Sequence, residues 1–372
     1  MLWLFSRLLF PPQKQFLPSC IDRILVVAPP RIGDAALALP VFASLRQGFP
    51  KSRLHVAANK YVSEMLCLVR EIDEIIPVSQ GLKTNLSALR GIFVPREYDI
   101  GVDLNFDHPL LPALLAGFSA AFSIGYEYAG RGFFLSKSLS PAEPTEHASD
   151  VFFQPVLKIL PSEKKRAPQL DIPEELTLGT QSMLSRAGIA EKDSVILMHP
   201  GAHHPTQRWL PEHFAETADR IIGARLAKVV FVGGRDEKNL IERIRKKMAK
   251  PPHAIFTDLT INRLIALIQR AKLMICNNSG PLHLAVAVNT PTVSTMGPTI
   301  KDRWKPLGDN HKVLRIDDLP CIGCNLGYCK IRTHDCMALI KPSTVLKATR
   351  DLLGIHQWPC CHEPEVDGQA IL

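Results

Sequence analysis

Short, continuous apolar runs recur along the chain, each followed by a segment of helical period. Residues 23–28 (RILVVA), 54–58 (LHVAA), 74–78 (EIIPV) and 99–104 (DIGVDL) read as strands. Residues 35–45, 62–68 and 82–94 read as the helices between them. Strands apolar on both faces and separated by helices predict a parallel sheet covered on both sides. The pattern pauses at 162–175, a polar stretch broken by proline, and then restarts. Its second cycle has strands at 194–198 (SVILM), 228–232 (KVVFV), 255–256, 273–276 (LMIC) and 292–296 (TVSTM), with helices at 211–224, 236–248 and 261–270. The expected fold is therefore α/β, with two doubly wound parallel-sheet domains in series. Ligands in such folds bind at the carboxyl ends of strands, so the deep site is expected in the cleft between the halves. A further apolar stretch, 110–124, carries Pro112 and Gly117 among its alanines and serines, and is expected to be a buried helix rather than a span.

The polar punctuation at the strand ends carries the candidate chemistry. After 273–276 come Asn277-Asn278-Ser279-Gly280-Pro281, then an apolar run holding His283. A helix N-terminus there, with a glycine allowing close approach, suits a phosphate. The alternative is an Asn or Ser N-cap with His283 packed in the core. The loop HPGAHHPTQRW offers Gly201, Thr206, Gln207 and Arg208, of which Arg208 can hold a diphosphate bidentately. His203 and His204 lack a further ligand at metal spacing and are expected in a solvated loop. Glu237 follows Gly233-Gly234, where a carboxylate can take ribose hydroxyls or simply favour a helix dipole. In the first half, Pro30-Arg31-Ile32-Gly33-Asp34 closes the first strand. Asp34 can cap the helix or face the cleft as a general base. The absence of GxGxxG argues against a dinucleotide-dependent dehydrogenase.

Bulk properties narrow the partner. The chain has 372 residues, 46% apolar and 22% charged, enough for two cores. A net charge of +8 favours an anionic partner. No run of five or more basic residues marks a nucleic-acid arm, and the cluster Lys164-Lys165-Arg166 sits in a polar stretch, so nucleic acid is not expected. The opening MLWLFSRLLF is too short to span a bilayer and lacks a signal-peptide start. It reads either as a helix packed on the body or as an interfacial anchor carrying Trp3, Phe5 and Phe10. Nine cysteines are too sparse for a secreted disulfide scaffold. Four of them, Cys321, Cys324, Cys329 and Cys336, cluster as C-x2-C-x4-C-x6-C, open to a structural metal or to free or paired thiols.

Taken in order, RIGDAALALP, YDIGVDLN, SIGYEY, HPGAHHPTQRWLPEHFAE, FVGGRDE, the segment from DLTINRL to MGPT, and CIGC…CM resemble the heptosyltransferase-like family 9 glycosyltransferases. The resemblance covers residues 21–350. It implies the two-domain arrangement called GT-B. The acceptor site would then lie in residues 21–165 and the nucleotide-sugar site in 166–345, with 1–20 and 346–372 as tails. It implies inverting transfer, with no metal and no cofactor, from ADP-heptose to a lipid-linked saccharide of the lipopolysaccharide core. The enzyme would be cytoplasmic, touching the inner membrane face. By resemblance, Asp34 is the base, and Arg31, Gly33, Asp103 and Asn105 serve the acceptor. Gly201, Thr206, Gln207, Arg208, Glu237, Asn278, Ser279, Gly280 and His283 would hold the donor. Two places depart from the family pattern: Asn278 stands where an Asp is usual, and Gln207 where a Lys is usual. A weakly active binding homologue and a sugar-nucleotide epimerase of the same plan are the alternatives.

Overall fold

The structure is a computed structural model and describes residues 18, 20–78, 97–107 and 110–355. Two six-stranded, wholly parallel sheets are formed. The first comprises β1 (Arg23–Val27), β2 (Arg53–Ala58), β3 (Glu74–Pro77), β4 (Tyr98–Asp103), β5 (Ala120–Tyr126) and β6 (Lys137–Leu139), in the order β3-β2-β1-β4-β5-β6. The second comprises β7 (Val195–His199), β8 (Lys228–Val232), β9 (Ala254–Phe256), β10 (Leu273–Asn277), β11 (Thr292–Thr295) and β12 (His311–Leu314), in the order β12-β11-β10-β7-β8-β9. The two orders are the same when each half is counted from its own first strand. In each, the direction of winding reverses beside the first strand, between β1 and β4 and between β7 and β10. The crevices of both halves open at those two places. This is the GT-B arrangement that the resemblance implies.

Central strands are sealed. Ile24, Leu25 and Val26 of β1, and Leu273, Met274 and Ile275 of β10, have no exposed surface. One apolar cluster runs from Ile24, Phe42 and Phe152 in the first half to Ile265, Leu282 and Leu284 in the second, so the halves share a core. The connecting segment is stitched to both: Asp171 N–H donates to Leu68 O at 3.0 Å, and Leu170 N–H to Ala287 O at 3.3 Å.

The expectation of a buried helix over 110–124 holds for its first part only. Only Leu111–Ser119 is helical, and Ala120–Tyr126 is strand β5. The run is apolar on every face, so it has no period to separate helix from strand. The strands β6 and β12 and the helices Ala148–Ile159, Glu174–Arg186 and Pro342–Leu353 were not anticipated. The last of these crosses the expected start of the C-terminal tail. The N-terminal apolar segment and the helix expected at 82–94 lie outside the described residues. Among the described residues no helix is long and apolar enough to cross a membrane.

Candidate active site

A cleft of about 730 Å³ opens between the halves, lined by the segments that follow β1, β4, β7, β10 and β11. Asp34 lies on its wall, in the first turn of the helix Ile32–Leu37. The carboxylate does not cap that helix. It is 7% exposed, and burial pushes it up to about 7. Arg31, whose Nη1 is 3.9 Å away, opposes the shift, Asp107 adds to it, and Arg303 opposes it. A carboxyl poised near neutrality in a cleft suits proton abstraction.

The two asparagines after β10 divide the labour. Asn277 is fully buried and structural. Its Oδ1 accepts from Trp209 N–H and from Thr295 Oγ1–H, both at 2.9 Å. Its Nδ2 donates to Pro200 O at 2.7 Å and Gly201 O at 3.2 Å. The ends of β7, β10 and β11 are thereby tied together. Asn278 lines the cleft, and its Nδ2 donates to Trp304 O at 3.0 Å. Ser279 precedes the helix Gly280–Ala287 but caps it with no side-chain bond; its Oγ lies 3.4 Å from His199 Nδ1. Ser279 thus occupies the N-cap position without the cap bond of the alternative reading, while His283 is buried as that reading expects. Gly280 makes its close approach to the facing half: a Cβ there would lie 2.6 Å from Ile32 Cγ2. His283 is buried on the cleft wall against Gly33, with Nδ1 unpartnered, and burial pushes it down to about 3.

Of the remaining donor candidates only Gln207 lines the cleft, its Nε2 3.4 Å from Thr299 Oγ1. The Arg208 guanidinium folds back onto Ala202 O, at 3.1 and 3.0 Å. Thr206 Oγ1 donates to Leu326 O at 2.7 Å, fastening the loop to the cysteine-bearing segment. Glu237 accepts from Gly234 N–H at 2.8 Å and pairs with His199 Nε2 at 3.2 Å. Burial favours its neutral form, but His199, the Gly234 amide and Arg208 outweigh that and hold it below the usual carboxylate range. A Cβ on Gly201 would collide with this carboxylate, so the glycine there makes room for Glu237.

On the acceptor side Arg31 and Gly33 line the cleft and Asp103 and Asn105 do not. Asp103 has no exposed surface; it is paired with the buried Arg131 and accepts from Asn105 N–H and Nδ2–H, both at 2.9 Å. This ion pair and its amide partner brace the end of β4. The four clustered cysteines are free thiols around a cavity of about 50 Å³. Burial, and then the three neighbouring thiols, push Cys336 up to about 11. Among the described residues no group of three or more His, Cys, Asp or Glu is placed to hold a metal ion. The loop histidines His203 and His204 line the cleft, their rings 4.5 Å apart. Sequence reading missed Asp107, Tyr128, Thr299, Arg303 and Trp304, all on the cleft wall.

A facing pair of doubly wound sheets, with a buried carboxyl across the cleft from a helix N-terminus, is an arrangement compatible with glycosyl transfer. The family model of glycosyltransferase family 9 (heptosyltransferase) matches residues 93–331, and the chain belongs to that family. A lipooligosaccharide heptosyltransferase 2 of Haemophilus ducreyi is 24% identical over 356 residues, covering 89% of this chain and 99% of that protein. A family 9 glycosyl transferase of Veillonella parvula superposes with a TM-score of 0.77 at 25% identity, covering 89% of this chain and 97% of that one. The ADP-heptose lipopolysaccharide heptosyltransferase II of E. coli superposes with a TM-score of 0.75 at 21% identity, covering 89% and 98%. The chain is thus a glycosyltransferase of the heptosyltransferase type.

Proposed function

We propose that the cleft transfers a heptose from ADP-heptose to a hydroxyl of a lipid-linked, lipopolysaccharide-core-type saccharide, with inversion and without a metal. The observation that carries this reading is the buried carboxyl of Asp34, facing the Ser279–Gly280 helix end across the cleft. Asp34 accepts the acceptor hydroxyl proton as that oxygen forms its bond to the anomeric carbon. The bond from that carbon to the β-phosphate oxygen breaks on the opposite face, and ADP leaves. The N-terminal half holds the acceptor and the C-terminal half the donor. Relatives described as ADP-heptose lipopolysaccharide and lipooligosaccharide heptosyltransferases support both substrates. Work at the cytoplasmic membrane face follows from a lipid-linked acceptor and a net charge of +8.

The test is a donor panel followed by turnover. ADP-heptose should raise the melting temperature more than other nucleotide-sugars. Transfer to a lipopolysaccharide-core acceptor should be lost in Asp34→Asn, with donor binding retained. Stabilisation by a different nucleotide-sugar alone would overturn the donor, and normal turnover of Asp34→Asn would overturn the base.

A further inference from the structure

We infer that Arg303 is the cation that receives the diphosphate of the nucleotide-sugar, on a segment held in place by Gln207 and Asn278. The inference rests on the donor reading above and adds a residue to it.

Arg303 is only 8% exposed, yet it makes no ion pair among the described residues within 4 Å. Its guanidinium lies 4.7 Å above the Phe106 ring and 5.7 Å from that of Trp304. Of its five N–H donors, one direction is used, from Nη1 to Glu143 O at 2.8 Å. The others are not among the buried unsatisfied atoms, and the side chain lines the cleft, so they open onto it. Asp107, Glu146 and Asp34 act on its charge but offset its burial only in part, and a nearly buried cation with unused donors is costly unless a further anion meets it. A planar fork of donors suits a phosphate.

The attachments of this segment say which anion. Asn278 donates to Trp304 O at 3.0 Å, and Gln207 to Thr299 Oγ1 at 3.4 Å. The two amides come from the segments after β10 and β7 and fasten Thr299 and Trp304, on either side of Arg303. The β10 end also presents Ser279 and Gly280. Arg303 is thus fixed to the donor half, while Phe106 and the Glu143 carbonyl join it to the first half. The breaking bond between sugar and diphosphate lies at this junction. Arg31, the other cation beside Asp34, is exposed and lies on the acceptor half. The two amides need no charge in this role, because the cation is carried by the segment they hold.

The experiment titrates wild type, Arg303→Gln, Arg303→Met and Arg303→Lys with ADP, adenosine and inorganic pyrophosphate. Arg303→Gln is expected to weaken ADP about ten- to hundredfold and to abolish pyrophosphate competition, with adenosine affinity unchanged. Arg303→Lys keeps the charge and should stay within about tenfold of wild type for ADP. Arg303→Met keeps the apolar stem against Phe106 and should show the same loss of ADP and pyrophosphate binding, so it carries the test if Arg303→Gln folds poorly. Adenosine binding reports folding in every variant. ADP affinity within twofold of wild type in Arg303→Gln or Arg303→Met overturns the inference while leaving the proposed function standing. Failure of wild type to bind any nucleoside diphosphate overturns both.

Discussion

Gly33 and Gly280 meet face to face across the two halves: a Cβ on Gly33 would lie 2.9 Å from Gly280 Cα and 3.3 Å from His283 Cδ2. The helix that carries the candidate base and the helix that begins at Gly280 therefore touch at their first turns, backbone against backbone at the two glycines.

Gly33→Ala should separate those turns, because the atom it strikes is backbone and cannot swing aside. The expected cost is about 1–3 kcal/mol of stability, with at least a tenfold loss of kcat/KM. Gly280→Ala strikes a side-chain methyl, Ile32 Cγ2, at 2.6 Å. Adding Ile32→Ala should therefore rescue Gly280→Ala and leave Gly33→Ala unrescued. Denaturant unfolding and initial rates of the four variants decide it, and equal rescue of both would mean the contact is not the cause.

The raised Asp34 carboxyl sets a pH dependence with two readouts. The base works only when ionised, so kcat/KM should rise with pH through about 7. For stability the sign runs the other way. The folded state holds the proton more tightly than the unfolded state, so stability is lost as pH rises from 3.8 through about 7. Asp34→Asn should therefore melt higher than wild type at pH 8, with the gain shrinking toward pH 4. A gain constant with pH would refute the ionisation account.

His283 should act in the opposite direction. Its folded value of about 3 lies below the ordinary 6.5, so its contribution is present above 6.5 and is lost as pH falls toward 3. Its Nδ1 has no partner to lose. His283→Met should flatten the fall in melting temperature between pH 7.5 and 5, which scanning fluorimetry measures directly. An unchanged slope would place the acid sensitivity elsewhere.

The sequence displays the central strands because β1, β7 and β10 are apolar on both faces and short, and no helix of four or five residues would be so uniform. Asp34, Ser279 and Gly280 are legible for a related reason: a polar break at the end of a sealed strand must face either solvent or a ligand. Asp103, named for the acceptor by the resemblance alone, shows where that rule stops. It too ends a strand, but its partner Arg131 is 28 residues away, and no local pattern announces a buried ion pair. Arg303 is invisible for the converse reason, since its burial comes from Phe106, contributed by the other half. The helix Pro342–Leu353 did carry signals, with Pro342 in its first turn and Gly354 just past its end.

Breaking the Asp103–Arg131 pair tests whether these residues serve the acceptor or the fold. Arg131→Met leaves a buried carboxylate without its counter-charge, which typically costs about 3–5 kcal/mol. The variant should unfold at lower denaturant, yet its folded fraction should keep the acceptor KM of wild type. A raised KM with unchanged stability would restore the acceptor role.

The placement of two indoles makes the protein its own optical instrument. Trp209 is 1% exposed and its Nε1–H is fixed on Ile340 O at 2.8 Å, in the dry core of the second half. Trp304 stands on the cleft wall beside Arg303. Emission from the first should be blue-shifted and change only when the domain opens to water. Emission from the second responds to whatever enters the cleft. With Trp3 and Trp358, the other two tryptophans of the chain, replaced by Phe, and with Trp304→Phe as the reference, ligand occupancy and loss of tertiary structure should separate into two channels of one spectrum.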